Sequence, residues 1–198
     1  MSTVKSKKLQ VGTDASASNN FTIYQPATPD GTLRIGVGNA DSPTEVGRFT
    51  SAGYKPATAP LVSANRIGTQ TISGLTWTKI TFTTTEVDTN SNFASSRFTP
   101  TVAGYYQVNL VTQCQASSSL TRQLLAIWKN NAQGFRLNDT RISYGSNVGT
   151  VSGSGLIYMN GTTDYIESYV YLDGSGTFYI QGSSGEETKF QAFLIQQV

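Results

Sequence analysis

The 198-residue chain has no histidine, a single cysteine, and charged residues at only 13% of its positions. Each scarcity excludes something. Without histidine the chain lacks the side chain that titrates near neutral pH and the commonest metal ligand. Cys114 can form no intrachain disulfide and has no second cysteine or histidine to activate it or to share a metal. Its place in an alternating apolar run predicts a buried thiol. Serine-triad and zinc chemistry therefore drop out, and no cofactor is expected. The net charge of +2 is small and dispersed, so it gives no electrostatic footprint for nucleic acid or anionic lipid. No stretch approaches the roughly 18 consecutive apolar residues of a membrane-spanning helix. Lys5, Lys7 and Lys8 are not followed by an apolar segment, so neither a signal peptide nor membrane insertion is expected. These lysines read equally well as an anchor for an acidic surface and as a solvated terminus.

What is abundant is Ser, Thr, Asn, Gln and Gly, which avoids both the high-charge signature of disorder and the helix-former richness of bundles. The pattern points to β structure throughout. Lys55-Pro56-Ala57-Thr58-Ala59-Pro60 reads as an extended connector, because each proline restricts its predecessor and removes an amide donor. The expected division is residues 1–56 and residues 57–198. In the first part, Phe21 to Ile23 and Leu33 to Val37 alternate with period two around the turn dipeptide Asp30-Gly31, predicting a hairpin of two or three strands. So few large apolar residues close no core, and the segment is expected to need other chains. Beyond the connector, Thr76 to Thr83 predicts a strand, as do Tyr106 to Val111, Leu124 to Trp128, Phe135 to Leu137, Gly155 to Met159, Tyr165 to Leu172, Thr177 to Ile180 and Phe190 to Ile195. Asn130-Asn131, Asn160-Gly161 and Asp173-Gly174 predict turns. Leu120 to Trp128 also fits a helical face, but the strand assignment is preferred. Short strands at this spacing argue for an antiparallel sandwich or jelly roll.

Phe98-Thr99-Pro100-Thr101-Val102-Ala103-Gly104-Tyr105-Tyr106 resembles the Phe-x-Pro…Gly-x-Tyr signature of the globular heads of complement C-one-q and tumour-necrosis-factor relatives. Phe190-Gln191-Ala192-Phe193-Leu194 resembles that family's last strand, and Asp164-Tyr165-Ile166 sits where the family begins a strand. This resemblance spans roughly residues 60 to 198 and implies a ten-stranded, trimer-forming jelly roll with ligand-binding loops. Leu9 to Thr13, Ala17 to Phe21, Asp30 to Ile35 and Gly38-Asn39-Ala40 look like segments of tailed-phage fibre proteins. Together the two resemblances imply a homotrimeric virion protein, a tail or head fibre. Its N-terminal segment would join other virion proteins and its jelly roll would bind a host-surface glycan or protein. A capsid decoration protein is the alternative, and a polysaccharide-degrading fibre enzyme a more distant one.

Candidate residues follow from these readings. Loops 115–121, 138–147 and 182–189 are expected to bind ligand, with Ser118, Ser143, Tyr144, Asn147 and Glu186 as contacts. Tyr105, Tyr106, Tyr169 and Tyr171 are candidates for the trimer interface, since a tyrosine ring buries area while its hydroxyl finds a partner. A glycosidase would need two acids at about 5 to 9.5 Å. Asp139, Asp164, Asp173, Glu186 and Glu187 are positioned to be examined for it, but turn and loop roles account for them and no catalytic residue is assigned. No Asp-x-Asp-x-Asp spacing supports calcium, and Gly36-Val37-Gly38 lacks the helix that a dinucleotide fingerprint needs.

Overall fold

The computed structural model describes residues 7–57, 59–142, 147–183 and 185–198. The chain divides into two compact units, Met1–Thr58 and Ala59–Val198.

The first unit is a five-stranded antiparallel sheet in chain order: β1 (Lys8–Val11), β2 (Phe21–Tyr24), β3 (Leu33–Val37), β4 (Thr44–Thr50) and β5 (Gly53–Pro56). It is larger than the expected hairpin. The outer strands escaped notice because Gly47 interrupts the apolar alternation of β4, while Pro56 reads as a breaker. Pro56 is tolerated at the end of an edge strand, where its missing amide leaves no ladder bond unmade. Register places Leu9, Val11, Phe21, Ile23, Leu33, Ile35, Val37, Phe49 and Tyr54 on one face. The other face carries Arg34, Glu45 and Arg48, joined by ion pairs. Among the described residues of this unit no large apolar side chain is buried. A sheet in one layer has an apolar face and no second layer within its own described residues to bury it against.

The second unit is a sandwich of two antiparallel sheets. Its strands are β6 (Leu61–Asn65), β7 (Gln70–Ile72), β8 (Thr78–Lys79), β9 (Thr84–Asp88), β10 (Phe93–Ala94), β11 (Arg97–Phe98), β12 (Gly104–Ala116), β13 (Ser119–Lys129), β14 (Ala132–Arg141), β15 (Val148–Met159), β16 (Ile166–Ser175), β17 (Phe178–Ile180) and β18 (Lys189–Gln197). One sheet runs β10-β11-β16-β13-β14, with β8 also on β16. The other runs β7-β17-β12-β18-β6-β9, with β15 on the free side of β12. Strict alternation on β12 turns Tyr106, Val108, Leu110, Thr112 and Cys114 inward, to meet Leu125, Ile127, Ile166, Val170 and Leu172 of the facing sheet. Phe190 centres an aromatic cluster, with ring centroids 5.6 Å from Phe93, 5.8 Å from Phe82 and 6.4 Å from Phe98.

Two local expectations change, and the strand assignment of Leu120 to Trp128 holds. Of Thr76 to Thr83 only Thr78–Lys79 pairs, because the same edge of β16 is shared with β11, which takes Ile166 and Glu167 and leaves Tyr169 and Val170. Asp173-Gly174 does not turn; it continues β16 past an irregularity opposite Leu120 and Arg122, which Gly174 accommodates at φ 149°. Leu120 to Trp128 is a strand whose Leu125 and Ile127 enter the core while Leu124 and Trp128 face the other way, which is why it mimicked a helix. Asn130 and Asn131 do turn, both at positive φ, as a two-residue hairpin requires. On β15 glycine recurs at 149, 153 and 155, all on the inward side. There β14 leans across the edge of the sandwich so closely that a Cβ on Gly153 would lie 2.7 Å from Leu137 Cβ and 2.9 Å from its carbonyl oxygen.

Candidate functional site

Strand direction sorts the loops of the jelly roll to two poles. At one pole the chain enters at Leu61, opposite Phe193, and leaves at Gln197, opposite Gly104. At the other lie the Ser117-Ser118 turn, Ile142 and Asn147 at the ends of β14 and β15, and residues 181–183 and 185–188. Backbone bonds tie them together: Ala116 donates to the Asn147 carbonyl at 2.7 Å, Ser117 to Thr177 at 2.8 Å, and Gln113 to Glu187 at 3.0 Å. Ser118, Asn147 and Glu186 are all exposed at this pole. Ser143 and Tyr144 lie outside the described residues. The loops are shorter than expected, because Gln115, Ala116, 119–121 and 138–141 belong to strands.

The rim of this pole is polar and mostly uncharged. Gln181 Nε2 donates to Gln115 Oε1 at 2.5 Å, and Thr188 Oγ1 donates to the Gln181 carbonyl at 2.6 Å. Ser183 donates to the Glu187 carboxylate. Beneath it Arg66, 7% exposed, donates through Nη1 to the Thr81 carbonyl at 2.9 Å and hydroxyl at 2.7 Å. Burial pulls its pKa down from the usual arginine range. No local pattern marks Gln115, Gln181 and Arg66, since only the pairing of β12 with β17 and β18, and of β18 with β6, brings them together.

The four candidate interface tyrosines do not share a surface. Tyr106 is fully buried, its hydroxyl donating to the Val102 carbonyl at 2.7 Å, so it has no area to offer another chain. Burial pushes its pKa up to about 12. Tyr105 faces outward from the β12 sheet, paired with Tyr158 at 5.6 Å between ring centroids. Tyr169 and Tyr171 face outward from β16, on the opposite sheet. Period-two alternation separates Tyr105 from Tyr106, but nothing in a single sequence tells which sheet a strand joins.

The candidate carboxylates are held by neighbours. Asp139 takes both Arg122 nitrogens, at 2.8 and 2.7 Å, and Arg136 at 3.0 Å. The Arg122 bond above all holds its carboxyl below the usual range. Burial pushes Asp164 up, but bonds from Lys129, Asn130 and the Asn160 amide outweigh it and the net shift is downward. A general acid needs the opposite shift. Asp173 lies in β16 and Glu186 in the distal loop. Among the described residues no group of three His, Cys, Asp or Glu side chains could hold a metal.

Solved structures similar to this chain carry the fold. Murine APRIL at pH 5.0 matches with a TM-score of 0.51 at 8% identity, over 70% of this chain and 100% of that one. The form at pH 8.0 matches with a TM-score of 0.50 at 8% identity and the same coverage. The globular domain of the zebrafish complement 1qA protein matches at 16% identity and a TM-score of 0.46, over 70% of this chain and 99% of that one. The fold rests on the APRIL structures: the chain is all-β and matches an antiparallel jelly roll, as the sequence resemblance implied. No protein-family model and no curated protein matches the chain.

Proposed function

We propose that the chain is a non-enzymatic, homotrimeric structural protein of a phage virion, a tail or head fibre whose jelly roll binds a host-surface ligand. The observation that carries the reading is the coreless N-terminal sheet. Leu9, Val11, Phe21, Leu33, Phe49 and Tyr54 each remain about half exposed on one largely apolar face, with Lys7 at its edge. Each such side chain is worth roughly 1.5 to 3 kcal/mol when fully buried. Identical faces whose charge lies at the edge can cover one another while leaving that charge in water. The jelly roll adds a second self-complementary patch, where Tyr105, Tyr158 and Leu156 stand 43%, 42% and 57% exposed on the outer side of β12 and β15. The phage assignment rests on the resemblance of residues 9 to 55 to fibre segments. The pole bearing Ser118, Asn147 and Glu186 lies opposite the point where the chain enters the jelly roll, which suits a distal ligand contact. Three copies would offset a weak affinity per site.

Light scattering tests the architecture: the full chain, and the chain truncated at Pro60, should each weigh three times the chain mass, 21.3 kDa for the full chain. A monomer in both would remove the trimer. Particles lacking the chain test the role. Lost adsorption with intact heads supports a fibre, whereas fragile heads with normal adsorption would make it a decoration protein. Asn147→Ala with Glu186→Ala should weaken adsorption while leaving the solution mass unchanged.

A further inference from the structure

The outer face of the sheet containing β13, β14 and β16 is lined by rings and by unevenly balanced charges. Register sets Glu167, Tyr169, Tyr171 and Asp173 of β16 beside Trp128, Ala126, Leu124 and Arg122 of β13. Arg136 and Asp139 of β14 continue the same face, and Trp77 reaches it from the residue before β8. Trp128 stacks on Tyr169 at 4.2 Å, while Trp77 lies 5.8 Å from Tyr171 and 6.4 Å from Trp128. All four rings are half-buried, packed on one another yet still presenting surface.

Two hollows flank this stack. The larger, about 510 Å³, is lined by Lys79, Ser91, Asn92, Ser95, Arg97 and Thr99 among others. The smaller, about 160 Å³, is lined by Trp77, Arg122, Leu124, Arg136 and Tyr171. In the larger, Lys79 at 2.6 Å and Arg97 at 2.9 Å share a single carboxylate, Glu167. In the smaller, Arg122 and Arg136 share Asp139, and the next charged neighbours, Arg141 and Asp173, cancel. Each ion-paired cluster therefore carries one more cation than carboxylate, and Asp88 beside the larger hollow is engaged by the Asn92 and Phe93 amides. Ser95 and Ser96 form the tip of the β10–β11 hairpin at φ 51° and 57°, a turn that favours Asn-Gly. That unfavourable turn holds the Ser95 carbonyl 2.9 Å from Lys79 Nζ, fixing the lysine at the rim.

We propose that this face binds an acidic oligosaccharide. A sugar ring lays its C–H face on an aromatic side chain while its hydroxyls pair with Ser, Thr and Asn, the mixture of groups found here. A carboxylate or sulfate on the sugar meets the surplus cation of a hollow in a charge-assisted hydrogen bond. Glu167 and Tyr171 are four residues apart on β16, so the hollows are separated by roughly 13 Å, which calls for several linked sugars rather than one. A nucleic acid, with a phosphate at every residue, would meet Glu167, Asp139 and Asp173 with too small a basic surplus to offset them. A protein partner would want a cluster of exposed apolar anchors, whereas the rings of this face are half-buried and the exposed Leu75, bonded to β16 at Leu172, stands singly at its edge. The inference adds a surface distinct from the distal pole of the proposed function, and rests on that function only for the host surface as the source of the glycan.

The test uses the full chain on an array of carboxylated, sulfated and neutral oligosaccharides. Arg97→Gln with Arg136→Gln removes the surplus from both hollows yet leaves Glu167 with Lys79 and Asp139 with Arg122, so the fold should be kept. Acidic oligosaccharides should be retained over neutral ones, and the double variant should bind them at least tenfold more weakly while melting cooperatively and only a few degrees lower, the loss expected from one ion pair to Glu167 and the Arg97 contact with the Tyr165 ring. If the double variant melts early, Arg136→Gln alone should still lower binding several-fold. Retention of no acidic sugar, equal retention of neutral ones, or unweakened binding by a stably folded variant would each overturn the proposal. Particles carrying the double variant separate the two readings. Normal adsorption by them, with none by particles lacking the chain, rejects this site and keeps the fibre. Weakened array binding by the variant, with normal adsorption by particles lacking the chain, keeps the site and rejects the fibre.

Discussion

Replacing Glu167 by glutamine removes the one anion that two cations share. The carboxylate is 4% exposed, and its Oε1 accepts from Lys79 Nζ at 2.6 Å and from Arg97 at 2.9 Å. Burial pushes this carboxyl up, but the Lys79 and Arg97 bonds outweigh burial and its pKa lies below the ordinary value. A glutamine oxygen can occupy the same place, so what is lost is the charge-assisted part of each bond. A hydrogen bond to a charged group contributes about 1.5 to 3 kcal/mol, and charge assistance supplies roughly half of it. Lys79 and Arg97 are 28% and 44% exposed, so solvent already screens the pair. The expected loss is about 1 to 2 kcal/mol, or roughly 2 to 8 °C in melting temperature for a chain of this size. Urea unfolding of both proteins at equal chain concentration measures it, since association would otherwise shift the midpoints. The pH dependence has a definite sign. A depressed folded pKa means that the stabilisation is complete above the unfolded value, about 4.3, and disappears as pH falls through the lower folded value. The two proteins should therefore converge in acid. Coincident midpoints at pH 7, or a gap that persists unchanged below the folded pKa, would refute the reasoning.

Other perturbations read other parts of the molecule. Phe190→Ala, at a 1% exposed position inside the aromatic cluster, should lower unfolding free energy by about 3 to 5 kcal/mol in the same urea assay. Gly153→Val would press against backbone as well as side chain on β14; it should cost about 1 to 3 kcal/mol, whereas Ser154→Val, pointing outward beside it, should cost little. Cys114 is fully buried and its thiol is pushed up to about 12, chiefly by burial. Its alkylation by iodoacetamide at pH 8 should therefore follow unfolding, and fast labelling of the folded chain would contradict the burial.

Much of the jelly roll was legible because alternation is a local property. On β12 every second residue from Tyr106 to Cys114 is buried, and that rhythm is written in the chain. The Asn130-Asn131 turn was equally readable, since positive φ limits the residues that fit. What failed depended on neighbours. Thr76 to Thr83 has a strand's pattern, but how much of it pairs is decided by β11 competing for the same edge of β16. Gly47 and Pro56 concealed two strands because each is a breaker in isolation and harmless where another strand or an open edge accommodates it. The candidate surfaces were less legible still. Ser118, Asn147 and Glu186 were placed by loop composition, and the fold gathers them at one pole. Trp77, Arg97, Arg122 and Glu167 come from four distant segments, and no local pattern announces that three strands and a turn will lay them on one face.

The two ends of the jelly roll emerge together, with Leu61 opposite Phe193 and the loops of Ser118 and Asn147 at the far pole. This arrangement has a mechanical meaning. A pull between an anchored N-terminus and a ligand held at the far pole would run along the strand axes, loading the β6–β18 and β12–β18 ladders lengthwise. Hydrogen bonds loaded side by side yield together, whereas bonds opened from one end yield singly. If the chain is the fibre proposed above, a tug on it would strain the jelly roll in the direction in which the sheet resists most.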